Sequence, residues 1–294
     1  MINLIVSPRA LRGKGGRLLE RVRARLRAAG REVSLFLTQK KGEAGEIARQ
    51  ITAEGESTLV AMGGDGTLND VLCGIVRLEA CRLGLIPAGT GNDFAAAAGI
   101  PRGAAALDLI LGGEAVYTDY LEFGDGRRSL NIAGIGIDAD ILQRCERMKV
   151  RGRIKYFLGL LSSLRHYRGN TIRLELNGTV REYHSMIAAF CNGRQLGGGI
   201  PICPPAVLDD GKMDLVLVEY PDRRKILGAL IKLMRGKVLS LPFAHHVLCE
   251  RVSVVPSVPE MAQYDGELYP AERMDASIVT GKLRMFRGDH GKSV

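Results

Sequence analysis

The chain contains no tryptophan, no Cys-x-x-Cys pair and no apolar run of about eighteen residues or more. The last absence removes any helix able to cross a bilayer. The opening Met1-Ile-Asn-Leu-Ile-Val-Ser-Pro also lacks the basic head and long apolar middle of a secretory signal, so a cytosolic protein is expected. The six cysteines, Cys73, Cys81, Cys145, Cys191, Cys203 and Cys249, are scattered and mostly sit in apolar stretches, where a thiol behaves as a small hydrophobe. Buried reduced thiols are therefore expected rather than disulfides or zinc. Among the five histidines, His245 and His246 are adjacent and point apart on a helix or a strand alike, and they are assigned no metal. No zinc-finger spacing or RNP-like aromatic motif is present, so no nucleic-acid partner is expected.

What is present suits a two-lobed protein. A length of 294 residues can bury a core in each of two lobes, and a net charge of +9 draws the molecule toward polyanions, whether a nucleotide or an anionic membrane. Apolar runs at 2–6, 33–37 and 58–62 alternate with helical patterns at 17–29, closed by Gly30, and at 43–53. That alternation reads as βαβαβ with a parallel sheet. The first helix gathers Leu18, Leu19, Val22 and Leu26 on one face and spreads Arg21, Arg23, Arg25 and Arg27 over a solvated remainder.

Beyond residues 118–126 the pattern turns to hairpins. Runs at 170–176 and 179–183 flank Asn177-Gly178, a strong two-residue turn signal. Further strand-like runs occur at 129–135, 186–191, 214–218, 251–255 and 276–279, interrupted by helical stretches at 151–166 and 223–237. The second half therefore reads as mainly antiparallel β.

Two loops carry the chemistry. The strand at 58–62 runs into Gly63-Gly64-Asp65-Gly66-Thr67-Leu68-Asn69-Asp70 and then a helical pattern. Strand, glycine turn and helix N-terminus make an anion site, and an acid among the glycines serves phosphate only through an intervening Mg²⁺. A tight turn capped by Asp65 or Thr67 is the plain alternative. After the run at 83–86 comes Pro87-Ala88-Gly89-Thr90-Gly91-Asn92-Asp93-Phe94, again at the carboxyl end of a strand, so both loops should face one crevice.

Together, the sequences at 63–75 and 87–95 resemble the catalytic domain shared by diacylglycerol, sphingosine and ceramide kinases. The resemblance continues through residues 185–193, Gly197-Gly198-Gly199, residues 204–215 and Asp265-Gly266-Glu267, and so covers nearly the whole chain. It implies an α/β plus all-β fold: a Rossmann-like parallel-sheet domain over 1–122 and an antiparallel β-sandwich domain over 123–294. It further implies a nucleotide cleft between the two and last residues that pack back on the first. The implied activity is transfer of the γ-phosphate of ATP, with Mg²⁺, to a lipid hydroxyl, most simply diacylglycerol giving phosphatidic acid.

The same resemblance assigns roles by position. ATP would rest on Gly63, Gly64, Asp65, Gly66, Thr67 and Asn69, with Thr90, Asn92 and Asp93 in the second loop, Ser7 and Pro8 after the first strand, and Thr38 beside the nucleotide. Asp65 would organise the catalytic Mg²⁺, and Glu267 would be the base that takes the proton of the lipid hydroxyl. A second Mg²⁺ would be held by Asp210 and the carbonyls of Val207 and Lys212. Read without the resemblance, Asp265-Gly266 is a hairpin turn and Leu208-Asp209-Asp210-Gly211 a turn entering a strand. The family's Asn-Pro-x-Ser-Gly-Lys is replaced here by Ser7-Pro8-Arg9-Ala10-Leu11-Arg12-Gly13-Lys14.

A lipid acceptor calls for apolar residues ringed by basic ones at the inner face of the membrane. One such segment gathers Arg144, Arg147, Lys149, Arg151, Arg153 and Lys155 before residues 156–161; the other is 223–237. A solvated linker for the first and a core-packed helix for the second are the plain readings. A homodimer is compatible with all of this. The rival functions are an NAD kinase-like phosphotransferase, which shares a Gly-Gly-Asp-Gly loop, and a non-catalytic nucleotide- or lipid-binding module.

Overall fold

The structure, a computed structural model, describes residues 1–148 and 153–288, with the side chains of 153–157 and 223 outside that description. It divides into two compact units, Met1–Asp119 with the described residues from Thr280, and Tyr120–Val279.

The first unit alternates β1 (Ile2–Val6), α1 (Gly15–Ala28), β2 (Val33–Leu37), α2 (Glu43–Ala53), β3 (Ser57–Gly63), α3 (Asp65–Gly74), β4 (Cys81–Pro87), α4 (Asp93–Ala97) and α5 (Ala106–Gly112). The four strands are parallel in the order β2-β1-β3-β4. β1 is buried along its whole length, as a near-continuous apolar run in a parallel sheet must be when helices cover both faces. Leu19, Val22 and Leu26 turn α1 onto the sheet, while Arg25 reaches out to pair with Asp108 and to donate to the Ala104 carbonyl. Gly30, at φ +65°, ends that helix in the left-handed conformation that glycine adopts without strain.

The second unit contains β5 (Val116–Phe123, whose first residues lie before the division), β6 (Arg128–Ser129), β7 (Ile132–Gly136), α6 (Ile137–Arg147), α7 (Arg153–His166), β8 (Asn170–Leu176), β9 (Thr179–Cys191), β10 (Met213–Glu219), α8 (Arg223–Met234), β11 (Ala244–Cys249), β12 (Arg251–Pro256), β13 (Glu260–Tyr264), β14 (Glu267–Ala271) and β15 (Met274–Met285). Its ladders are antiparallel, in the order β14-β13-β7-β9-β8-β12-β15, with β10 on β9 and β11 on β10. One core cluster centres on Phe123, whose ring meets Phe190 and Tyr264 edge-on at 5.6 and 4.8 Å. Another gathers Ile132, Ala189, Cys191, Cys203, Val216 and Val218. In the first unit the end of β15 adds a further parallel strand beside β4, pairing Arg284 with Arg82 and Met285 with Leu83, and Arg287 Nε donates to Thr118 Oγ1 at 2.9 Å.

Parallel sheet, antiparallel sandwich and the Asn177-Gly178 hairpin, with φ +50° and +74°, agree with the sequence reading. The structure differs at several elements. The runs at 179–183 and 186–191 are one long strand, β9. The run at 129–135 is broken into β6 and β7, because the amides of Leu130, Asn131 and Ile132 donate to the Asp265 carboxylate. Residues 137–147 form an unexpected helix, so the basic segment from Arg144, for which a solvated linker was one reading, begins inside it; the helix's buried positions, Ile137, Asp138, Ala139 and Cys145, make too sparse a stripe to stand out. β11, β13 and β14 were not expected, since paired histidines, polar residues and Pro270 obscure their alternation.

Candidate active site

In the first unit each of the strands β1 to β4 delivers a candidate residue at its carboxyl end. Ser7 and Pro8 follow β1, and the Ser7 amide donates to the Met62 carbonyl at 3.1 Å. Thr38 follows β2, is buried, and points its hydroxyl at the Val6 carbonyl at 3.3 Å. Gly63, Gly64, Asp65, Gly66, Thr67 and Asn69 span the end of β3 and the start of α3, and Thr90, Asn92 and Asp93 follow β4. The structure thus brings the proposed nucleotide residues of this unit to one edge of its sheet, where α/β folds bind phosphate ligands.

The two glycine loops are fastened to each other. A Cβ on Gly89 would lie 2.5 Å from Gly64 Cα, so only glycine permits this approach. Asn92 sits at φ +56° and closes its loop by accepting from the Gly89 amide at 3.0 Å and donating to the Gly89 carbonyl at 2.9 Å. Asp65 bridges the loops, its carboxylate taking the amides of Asp93 and Phe94, both at 3.2 Å. Asp65 therefore caps α4, across the edge. Thr90 is exposed, while Asn69 and Asp93 are buried.

In the second unit the Asp-Gly-Glu stretch is the turn between β13 and β14, with Asp265 at φ +49° and Gly266 at +91°. It is more than a turn. The Asp265 carboxylate is nine-tenths out of water and accepts the Ser129 hydroxyl at 2.5 Å and the amides of Leu130, Asn131 and Ile132 at 2.8 to 3.1 Å. Gln263 accepts the Gly266 amide through Oε1 at 2.9 Å and donates to the Ile132 carbonyl and to Asp138 Oδ2, both at 3.2 Å. Glu267, half-buried, is the first residue of β14 beyond this locked turn.

Val207 and the exposed Asp210 lie in the segment before β10. Asp210 Oδ1 accepts the Lys212 amide at 2.9 Å, and the Lys212 ammonium pairs with Glu250 at 2.5 Å. Along the ladders β9, β7 and β13 separate β10 from β14, so sheet pairing does not bring this set beside Glu267.

The sequence gave no sign of Asp138. It stands in the first turn of α6, 5% exposed, and burial pushes its carboxyl up to about 7. Its Oδ1 meets no hydrogen-bond partner. It lies on the wall of an apolar cavity of about 710 Å³, counting the open mouth, with Leu160 and Leu164 of α7 and Ile226, Ala229 and Leu233 of α8. The opposite face of α8 turns Leu227, Ile231 and Met234 outward, and α7 turns out Leu158 and Leu161. Arg224, Lys225 and Arg235 are exposed along α8. The helix at 223–234 thus meets both readings, packed on one side and apolar-exposed on the other. In the first basic segment Arg144 is spent on Asp140 at 2.7 Å and Ser162 at 3.2 Å, tying α6 to α7. Lys149 and Arg151 lie outside the described residues.

Interlocked glycine loops on a parallel sheet, carried on one chain with an antiparallel sandwich, define a nucleotide-using transferase class. Comparison with known proteins makes the class specific. Residues 1–123 match the model of the diacylglycerol kinase catalytic domain, and residues 131–287 match the YegS C-terminal NAD kinase beta sandwich-like domain. A probable lipid kinase YegS-like from Pseudomonas aeruginosa is 33% identical over 90% of this chain and 89% of its own. A diacylglycerol kinase from Mycobacterium tuberculosis is 29% identical over 91% and 89%. The crystal structure of a putative diacylglycerol kinase from Bacillus anthracis shares the fold, with a TM-score of 0.80, 24% identity, and coverage of 98% of this chain and 96% of that one. The chain belongs to the diacylglycerol kinase and YegS-like lipid kinase family.

Proposed function

We propose that this kinase transfers the γ-phosphate of Mg-ATP to a hydroxyl of a membrane lipid, diacylglycerol being the simplest acceptor and phosphatidic acid its product. The observation that carries the lipid half of the reading is the open-mouthed apolar cavity of the second unit, lined by aliphatic side chains with a single buried carboxyl on its wall. A dinucleotide acceptor, as in an NAD kinase-like enzyme, would gain nothing from such walls. The outward Leu227, Ile231 and Met234, with basic neighbours on α8, suit a peripheral contact with an anionic membrane.

In this reading Gly63 to Asn69 and Thr90 to Asp93 hold the phosphates, and Ser7, Pro8 and Thr38 border the nucleotide. The close approach of Gly89 to Gly64, which a Cβ would prevent, holds the two loops together as one phosphate-facing edge. Magnesium, when bound, supplies charge neutralisation; Asp65 is the carboxylate at that loop, and the oxygen donors Asp210, Val207 carbonyl and Lys212 carbonyl suit a second hard cation. Glu267 accepts the proton of the lipid hydroxyl as that oxygen attacks phosphorus, with the turn locked by Asp265 and Gln263 fixing its backbone. Positioning and charge neutralisation carry most of the acceleration.

The test is labelled γ-phosphate transfer from Mg-ATP in mixed micelles, offering diacylglycerol, sphingoid bases, a polyprenol and NAD in parallel. Labelled diacylglycerol product is the expected result. Label on NAD would overturn the reading.

A further inference from the structure

The antiparallel register sets Cys191 of β9 opposite Asp214 of β10, and Val216 of β10 opposite His246 of β11. Residues opposite one another, and those two apart, share a sheet face, so Cys191, Asp214 and His246 stand on one face of three adjacent strands. Cys203 joins them from the segment between β9 and β10. Its amide donates to the Arg194 carbonyl at 3.1 Å, and Arg194 Nε closes the loop on the Ala206 carbonyl at 2.8 Å. Ligand atoms of Cys203, Asp214 and His246 all lie within 4.8 Å of one another. His246 Nε2 is 2.6 Å from Asp214 Oδ1, and Cys191 shares a buried cluster with Cys203.

The burial of this set asks for a cation. The Asp214 side chain is 3% exposed, and both thiols are fully buried in a cluster with Ile132, Ala189, Ala206 and Val216. A carboxylate in such surroundings is costly without positive charge beside it. His246 is the open side, at the sheet edge that β11 forms.

We propose that Cys203, Asp214 and His246, with the fourth position left to solvent on the open His246 side, form a binding site for one thiophilic divalent cation of the zinc class. One sulfur, one imidazole nitrogen and one carboxylate oxygen, completed by a water, suit a tetrahedral, borderline-soft ion, and the sulfur and nitrogen are wrong for magnesium or calcium, which take oxygen. Binding forms one metal–sulfur bond at the expense of the Cys203 thiol proton, which leaves to solvent, and opens the His246–Asp214 hydrogen bond. The site is separate from the oxygen donors around Asp210 and does not depend on the phosphotransfer reading. The cation would pin the 192–206 loop to the sheet, and with it Ile200 and Ile202, which line the apolar cavity. The sequence hid this set because no two ligands keep a metal-binding spacing and only the strand register gathers them.

Titration of the metal-stripped full chain with Co²⁺, followed by Zn²⁺ competition, tests it. The wild type should take up one equivalent with a thiolate-to-cobalt charge-transfer band and tetrahedral visible bands, both abolished by Zn²⁺. Cys203→Ser should lose the charge-transfer band, and the edge-strand His246→Asn, whose folding is checked by its metal-free melting curve, should bind at least about tenfold more weakly. Zn²⁺ should raise the melting temperature of wild type but not of His246→Asn. Cys73→Ser, outside the site, should behave as wild type. No charge-transfer band in wild type, a band that survives both site variants, or one lost in Cys73→Ser would overturn the proposal.

Discussion

Asp65 in the first unit and Asp265 in the second both stand beside a glycine and both take backbone amides into a carboxylate. Asp65 accepts two, from Asp93 and Phe94, at a half-buried strand end. Asp265 accepts three and a serine hydroxyl while nearly out of water. The first fastens one loop to another at the edge where the nucleotide is proposed to bind. The second replaces a stretch of β ladder, and its removal would leave buried amides with nothing to receive them. Similar local sequence therefore carries different loads: Asp65 is proposed to weigh on chemistry, Asp265 on stability.

That contrast can be broken by mutation. Glu267→Gln should lower kcat by about 10²- to 10⁴-fold with the KM for ATP unchanged, and equal losses in kcat and ATP affinity would remove Glu267 from the role of base. Asp65→Asn, which keeps one of the two acceptor oxygens, should fold and yet lose at least about 100-fold in turnover. Near wild-type turnover would reduce Asp65 to a loop fastener. Asp265→Ala should instead cost about 3 to 5 kcal/mol in urea unfolding, since several buried donors lose their acceptor at once. A cost under about 1 kcal/mol would mean that the turn forms without the clamp.

The contrast was only half legible in the sequence. The parallel sheet and both glycine loops could be read because apolar runs, glycines and helix patterns lie close together along the chain. Asp265 was read as one half of a turn because its donors, Ser129 to Ile132, lie more than 130 positions away. Asp138 escaped for a similar reason: its neighbours come from α7, α8 and β13, and nothing local distinguishes it from a helix-starting aspartate.

Asp138 sharpens the comparison with a smaller effect, because burial outweighs its few hydrogen bonds and favours the protonated form, where Asp265 is held by many donors. Burial raises it from the ordinary 3.8 to about 7, so the folded chain keeps a proton that the unfolded chain releases. Its contribution to stability therefore falls as pH rises from about 4 to about 7 and is level above. Asp138→Asn should flatten that part of the profile, gaining on wild type at pH 8 relative to pH 5 in urea midpoints. Parallel profiles for the two proteins would mean that the carboxyl titrates elsewhere.

The central claim, a lipid acceptor whose chain lies in the cavity of the second unit, is tested most directly by filling that cavity. Labelled phosphate transfer to diacylglycerol in mixed micelles should show Ala229→Phe with an apparent lipid KM raised about tenfold for long-chain acceptors, less for short-chain ones, and an unchanged KM for ATP. An unchanged lipid KM at every chain length, in a variant that melts like wild type, would contradict the account.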